Sequence, residues 1–357
     1  MTNRLHPAAL SLLFLAACGD DAAQGPSNED VSVPPVPEGP SVVRSSITLG
    51  TFEGAVTDLA LYEAPAFGFQ GAVIAANDEA GIAVIRVDGG EASGWIPDPL
   101  AQRIDVTYAI DADAGSVLAL SSEGNLTAYA LDGTVLGSID VPGGTAQDVC
   151  ASGNLAAILV DGDIQIVQVG TDNEGQATLS LGTLVETGSV DGCDATGSGF
   201  FFTDGAAQPA LDTDEAPDMG AQDIVTGPVI SSGGKAIEVS AVNGMLAVNG
   251  TPLLVQTSDD RPLLPRLVEA TGGNYGGVLR DGAILVLDDN NALHVIPWSG
   301  AATAAGLAPT SDSKRPAEPI ISDAIGVPFA TDPAPAFTPE LERPQFEDVE
   351  PPAPPGQ

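Results

Sequence analysis

The chain has 357 residues, and its 49 acidic against 11 basic side chains give a net charge of −38. Such a surface repels nucleic acid and anionic lipid and attracts hard divalent cations. Only 17% of the residues are charged and 43% are hydrophobic, which excludes a disordered acidic polymer and leaves enough apolar side chains for a large core.

The first eighteen residues have the pattern of an export signal. One positive charge, Arg4, precedes an apolar stretch over residues 8–17, which is too short for a membrane-spanning helix and has the length of a signal-peptide core. The stretch ends Leu15-Ala16-Ala17-Cys18 and resembles a bacterial lipobox, in which the cysteine receives diacylglycerol. We therefore predict a signal peptide over residues 1–17 and a lipid anchor on Cys18, at the periplasmic side of the outer membrane or at the cell surface. The alternative is cleavage elsewhere, with Cys18 incidental.

Two segments lack apolar periodicity. Residues 18–45 contain five prolines and several acids, a composition typical of a flexible linker. Residues 311–357 form an acidic segment that ends in a proline-rich run and is predicted to be a disordered tail.

Between these segments lies a repeat of strand, polar turn and strand. It is clearest over residues 73–89, 117–133 and 284–300, and weaker copies begin near Leu155, Phe200 and Met245. A strand-rich repeat of about 40 residues without a helical pattern is typical of a propeller with one blade per repeat. We predict an all-β, six-bladed β-propeller over residues 46–310.

A short predicted strand with one acid precedes each hairpin. The acids are Asp58, Asp105, Asp148, Asp191, Glu238 and Glu269. The first strand of each blade lines the channel of a propeller, so these acids would form a ring of carboxylates at one mouth. Acids are depleted in strands, so their recurrence needs a cause. The alternative is that each one caps a loop or bonds to backbone amides at the start of its strand.

A ring of carboxylates favours calcium as the bound ion. Crowded carboxylates raise one another's pKa unless cations lie among them, and calcium takes six to eight oxygen ligands. His6 and His294 are the two histidines, and His6 belongs to the predicted signal peptide. This excludes a histidine-based nucleophilic triad and argues against softer metals.

Four motifs carry a family resemblance. They are Asp191-Gly192-Cys193 followed by Gly199-Phe200-Phe201-Phe202, Ile104-Asp105-Val106-Thr107-Tyr108, Ile237-Glu238-Val239, and Val295-Ile296-Pro297-Trp298. In order and spacing they resemble the β-propeller phytases over about residues 47–310. The resemblance implies a calcium-dependent phosphomonoesterase that acts on phytate or a small phosphorylated substrate. It implies Asp191 and Glu238 as catalytic calcium ligands, and Asp58, Asp105 and Glu269 as supporting metal ligands.

Several basic residues of that family's pattern are replaced. Thr107 stands where the family has arginine, and residues 77–80 carry two acids where it has a lysine. The sequence therefore leaves open a second function, a non-catalytic propeller of the cell envelope that binds calcium, another ligand or an envelope partner. A purely structural scaffold is a third. For each of these we expect a monomer that does not bind nucleic acid.

Cys150 and Cys193 each lie two residues after a predicted channel acid. An exported protein can hold a disulfide, and pairing would require Cα atoms within about 7 Å of each other. Two buried free thiols are the alternative.

Overall fold

The computed structural model describes residues 40–315 apart from residues 66, 89–91, 189, 198 and 204–227. The predicted signal peptide, Cys18 and residues 316–357 lie outside the described residues.

Two strands begin the described chain, β1 (Ser41–Arg44) and β2 (Ile47–Thr51). Three four-stranded antiparallel sheets follow in sequence order. The first sheet consists of β3 (Val56–Tyr62), β4 (Ala72–Asn77), β5 (Gly81–Arg86) and β6 (Ala92–Ile96). The second consists of β7 (Ala101–Thr107), β8 (Ser116–Ser121), β9 (Asn125–Tyr129) and β10 (Val135–Asp140). The third consists of β11 (Ala146–Ser152), β12 (Leu155–Val160), β13 (Asp163–Thr171) and β14 (Ala177–Val185).

The remaining sheets are less regular. The fourth has two described strands, β15 (Gly192–Thr196) and β16 (Gly199–Thr203). The fifth contains β17 (Val229–Ser232), β18 (Lys235–Val242), β19 (Met245–Val248), β20 (Thr251–Gln256) and β21 (Pro262–Leu263). The sixth contains β22 (Pro265–Thr271), β23 (Ala283–Asp288) and β24 (Ala292–Pro297). Short 3-10 turns lie at Gly68–Gln70 and Gly277–Leu279, and the helix α1 spans Trp298–Ala304.

The first two strands complete the last two sheets. Strand β1 pairs in parallel with β20, and β2 pairs antiparallel with β24. Strand β1 therefore lies in a sheet although it precedes the predicted boundary at residue 46. Beyond the other predicted boundary, at residue 310, Asp312 and Lys314 bond to the sheets.

The core lies between neighbouring sheets. The second strands of four sheets are buried along their whole length, because the apolar side chains on both of their faces pack against neighbouring sheets. These strands are β4, β8, β12 and β23. Ile74 and Val84 of the first sheet pack with Ile104 and Val117 of the second. Such continuous apolar runs are typical of strands covered on both faces.

The predicted all-β fold is confirmed at the level of several four-stranded antiparallel sheets in a propeller-like arrangement. Its three clearest hairpins, which correspond to β4–β5, β8–β9 and β23–β24, are also present. Each sheet begins with a strand that contacts the first strand of the next sheet, and β22 contacts β3. The first strands therefore lie together, which positions the site described next. None of the helices in the described ranges has the length and apolar character needed to cross a membrane.

Candidate functional site

A cavity of about 290 Å³ lies between the first strands of the sheets. Its wall carries one guanidinium, from Arg103, and five carboxylates. The acids are Asp58, Asp105, Asp148, Asp194 and Glu269. We call this space, together with its continuation to Lys314, the channel.

The four aspartates of the channel share one bonding pattern. Each accepts the backbone N–H of the next residue and a backbone N–H of the next sheet. In Asp58 the Leu59 amide lies 2.9 Å from Oδ1 and the Ile104 amide 2.8 Å from Oδ2. The other pairs are Val106 and Ala151 on Asp105, Val149 and Cys193 on Asp148, and Ala195 and Val229 on Asp194. Each carboxyl group thereby provides acceptors for buried amides of two sheets, so the aspartates tie neighbouring sheets together.

This pattern is the structural alternative that the sequence left open, in which the acids bond to backbone amides. Both oxygens of each aspartate already accept an amide proton. The carboxylates thereby compensate amides that would otherwise be buried without a partner.

Burial raises the pKa of most of these acids. Desolvation and the nearby charge of Asp148 raise the pKa of Asp58 to about 8. Burial also raises the pKa of Asp148 to about 6 and that of Asp194 to about 7, although bonded amides and basic groups act in the opposite direction. The pKa of Glu269 lies well above its usual range because of burial and the charge of Asp194. Crowded carboxylates in a desolvated site behave in this way.

Arg103 is the basic residue at the end of the channel where the first strands begin, which we call the strand end. Its Nε donates to the carbonyl oxygen of Gln147 at 2.9 Å, and its Nη1 donates to that of Thr57 at 2.9 Å. The guanidinium therefore bridges the first, second and third sheets while its charge acts on Asp58 and Asp148.

Lys314 supplies a second cation from outside the sheets. Its Nζ lies 2.6 Å from Oδ1 and 2.8 Å from Oδ2 of Asp105. Burial alone would lower the pKa of Lys314, but the charges of Asp105 and Asp194 outweigh it and raise that pKa.

Lys314 belongs to residues 310–315, which we call the strap. The strap follows α1 and bonds to strands of the second and fifth sheets and to loops of the first, second and sixth. The Asp312 carboxylate accepts hydrogen bonds from two groups of the β17–β18 hairpin in the fifth sheet, Ser231 Oγ at 2.7 Å and the Gly234 amide at 2.8 Å. The remaining contacts are Ser311 with Asp281, Ser313 with Glu63, and Arg315 with Ala112. The strap therefore crosses the end of the channel at which the first strands finish.

The structure brings together most, but not all, of the sequence-predicted acids. Asp58, Asp105, Asp148 and Glu269 line the channel. Asp191 is exposed in the loop before β15, and neither it nor Glu238 is among the residues that line the cavity. Glu238 lies on β18, the second strand of the fifth sheet, because β17 precedes it. The two predicted catalytic residues are therefore not part of this site.

Sequence reasoning missed Asp194, Arg103 and Lys314. Asp194 had a signal, because each aspartate bonds to an amide 45 or 46 residues ahead in the first three sheets, and Asp194 follows Asp148 by a similar interval. Lys314 had none, because it lies in the predicted tail.

Cys150 and Cys193 form a disulfide with a Cα–Cα distance of 6.0 Å, which resolves the pairing that the sequence left open. The bond joins β11 to β15. Asp148 lies beside both sulfurs, but sulfurs bonded to each other are not available as metal ligands.

The channel acids fit calcium only in part. Their oxygens are of the right type. In the described part of the chain, however, no three carboxylates offer oxygens within 4.8 Å of one another, and those of the aspartates already accept amides. The described donors do not form a ready calcium site.

Comparison with known proteins gives no family. No family model matches the sequence, and no curated protein matches it. One similar solved structure is BBS1N in complex with ARL6DN, with a TM-score of 0.32, 12% identity, and coverage of 73% of this chain and 67% of that chain. Another is the Polycomb Repressive Complex 2 of Chaetomium thermophilum bound to GSK126, with a TM-score of 0.41, 11% identity, and coverage of 72% and 98%. At these TM-scores neither likeness supports a conclusion about this chain.

Proposed function

We propose that the protein is a non-catalytic, six-bladed β-propeller that acts as a ligand- or partner-binding module of the cell envelope. The observation that carries this proposal is the bonding of the channel acids. Four aspartates use both oxygens to join the first strands of neighbouring sheets, so they serve the fold.

The six sheets support the six-bladed architecture. They follow one another along the chain, their first strands contact in sequence order, and β22 of the last sheet contacts β3 of the first. Strand β2 from the beginning of the chain completes the sixth sheet. Such pairing of an early strand with the last strand of the sheets would close a ring of blades and protect its edges.

A calcium-dependent phosphomonoesterase is the second candidate, supported by the resemblance to β-propeller phytases and by the acid-lined cavity. That chemistry needs a metal-activated water and cations placed to stabilise charge on the phosphoryl oxygens. The guanidinium of Arg103 bonds to backbone carbonyls, and the ammonium of Lys314 bonds to Asp105. These contacts favour the non-catalytic proposal.

Phosphate release separates the two candidates. The mature protein is incubated with phytate and with a simple phosphomonoester, with and without millimolar calcium, and inorganic phosphate is measured. We expect no release above the protein-free control. Calcium-dependent release that is lost in Asp58→Asn would overturn the proposal in favour of the second candidate. Loss in Asp191→Ala or Glu238→Ala instead would identify a different site.

Calcium binding itself is a separate question, because a non-catalytic propeller can hold the ion. Isothermal titration with calcium and magnesium measures it directly. We expect weak or no calcium binding by the wild-type protein, since its carboxylate oxygens accept amides. Tight binding that disappears in Asp148→Asn would show that the acids rearrange around the ion.

The envelope location rests on the lipobox-like motif at Cys18. Labelling of expressing bacteria with a fatty-acid analogue, followed by membrane fractionation, tests it. We expect label and outer-membrane recovery for the wild type and the loss of both in Cys18→Ala. Equal membrane recovery of the unlabelled variant would contradict a lipid anchor.

A further inference from the structure

The strap end of the channel holds a largely buried primary ammonium. Lys314 Nζ bonds to both oxygens of Asp105, and the two side chains are 12% and 11% exposed. Asp194 and Glu269 line the same cavity as Asp105, and their charges raise the pKa of this ammonium. Lysine presents a compact charge with three donors on a flexible stem, and the two oxygens of Asp105 accept hydrogen bonds from it.

The ammonium is delivered by a segment that belongs to none of the sheets. The strap is bound by side-chain and backbone contacts, such as Ser231 Oγ with the Asp312 carboxylate at 2.7 Å and Ser232 Oγ with the Thr310 carbonyl at 2.6 Å. Arg103 differs in this respect, because it lies within β7. Lys314 can therefore leave the channel without the loss of a strand.

Without Lys314, the carboxylate of Asp105 would lose the cation that it contacts directly. A buried charge that loses its partner is strongly unfavourable. A cation that matches the shape and hydrogen-bonding capacity of the lost group offsets that cost best.

We propose that the strap end of the channel, formed by Asp105, Asp194 and Glu269, is a binding site for a primary alkylammonium group, and that Lys314 is its internal ligand. An external ligand that presents such a group occupies the same position when the strap leaves. This inference goes beyond the proposed function and does not depend on it, since phosphate release tests one and amine binding tests the other.

The internal ligand has a large advantage over an external one. A tethered group has an effective concentration in the millimolar range or above, and the other strap contacts add to it. A simple amine therefore competes poorly in the wild-type protein, and the site is accessible to test only when the Lys314 side chain is shortened.

Chemical rescue is the experiment. Lys314→Ala removes the side chain beyond Cβ, which leaves space for n-propylammonium. We expect this variant to melt roughly 5–10 °C below the wild type, as breaking a buried ion pair in a domain of this size implies. Millimolar n-propylammonium chloride should restore at least half of that loss. Potassium chloride and 1-propanol, which lack the ammonium group, should restore none.

Arg315→Ala is the matched control, because it removes the neighbouring strap cation, which is 14% exposed and bonds to the carbonyl of Ala112 rather than to a channel acid. Amine should not stabilise it. Hydrogen exchange of the strap amides supplies a second readout: Lys314→Ala should exchange several-fold faster than the wild type, and n-propylammonium should slow it.

The proposal is overturned if the amine fails to restore Lys314→Ala, or if 1-propanol or the Arg315→Ala variant gives the same response. If Lys314→Ala does not fold alone, it is refolded with and without n-propylammonium. Recovery with the amine only would support the site. Failure in both conditions, while Lys314→Arg refolds, would overturn it.

Discussion

The two ends of the channel neutralise their acids by different means. Toward the beginnings of the first strands, Arg103 acts on Asp58 and Asp148 through its charge, while its hydrogen bonds go to the carbonyls of Thr57 and Gln147. At the strap end, Lys314 bonds directly to the carboxylate of Asp105.

This difference separates a fixed cation from a removable one. Arg103 lies in a strand and joins three sheets, so its charge stays with the fold, and the neighbouring acids still have a raised pKa. Lys314 lies in the strap, so its charge can leave with that segment. We expect changes at the strand end to alter stability alone, and changes at the strap end to alter stability and cation binding together.

The largest expected effect is that of Asp105→Ala. This change removes the acceptor of the Val106 and Ala151 amides and leaves Lys314 without its direct partner. Removing one member of a buried ion pair costs about 3–5 kcal/mol. Urea unfolding at neutral pH should show a loss in this range. The control is Asp191→Ala, at an exposed position, which should stay within about 0.5 kcal/mol of the wild type. Equal losses in the two variants would contradict a structural role for Asp105.

Loss of the disulfide between β11 and β15 ranks next. Cys150 and Cys193 are separated by 43 residues, and the chain-entropy model assigns about 4 kcal/mol to a loop of that length. The double variant Cys150→Ala, Cys193→Ala should lose about 2–4 kcal/mol in urea unfolding. Reduction of the wild-type protein should reproduce the loss and leave the double variant unchanged. A wild-type urea midpoint that does not change on addition of reductant would contradict the disulfide.

Arg103→Lys tests the fixed cation at the strand end. Lysine keeps the charge but cannot reproduce the planar fork that reaches Thr57 and Gln147. The variant should lose about 1–3 kcal/mol, mainly through carbonyls left without a donor. Arg86→Lys, at an exposed pair with Asp88, is the control and should be nearly neutral. An equally small effect of Arg103→Lys would mean that charge alone matters at this end.

The hairpins could be predicted from sequence because their signal is local. Residues 73–89 and 117–133 alternate strand, turn and strand, and the structure has β4–β5 and β8–β9 there. The acids of the first three sheets were found for the same reason, since those sheets repeat at a regular interval.

The later acids and the strap depended on distant contacts. In the fifth sheet, the Gly233-Gly234 turn adds the short strand β17 before β18, so Glu238 moves away from the channel. The spacing of single acids could not reveal this shift. Lys314 meets a partner 209 residues away in the chain, and its proline-rich surroundings predict a tail. An ion pair of this kind leaves no pattern in the sequence.

The last test, the pH dependence of stability, concerns acids at both ends of the channel. Burial raises the pKa of Asp58 to about 8, of Asp194 to about 7 and of Asp148 to about 6, from 3.8. The folded state therefore binds these protons more tightly than the unfolded state. This contribution is fully present below about pH 4 and is lost as the pH rises toward 8.

The free energy of unfolding should therefore fall between pH 4 and pH 8, as measured by urea unfolding at low ionic strength. Asp58→Asn should make this fall shallower, because it removes one titrating acid and its repulsion of Asp148. The number of protons released on unfolding should decrease by up to about one. Asp191→Asn, which removes a charge at the exposed surface, is the control. A wild-type stability that stays constant or rises over this range would mean that a cation other than the proton compensates the channel acids. In that case, repeating the measurement with added calcium would give a larger stabilisation in the wild type than in Asp58→Asn.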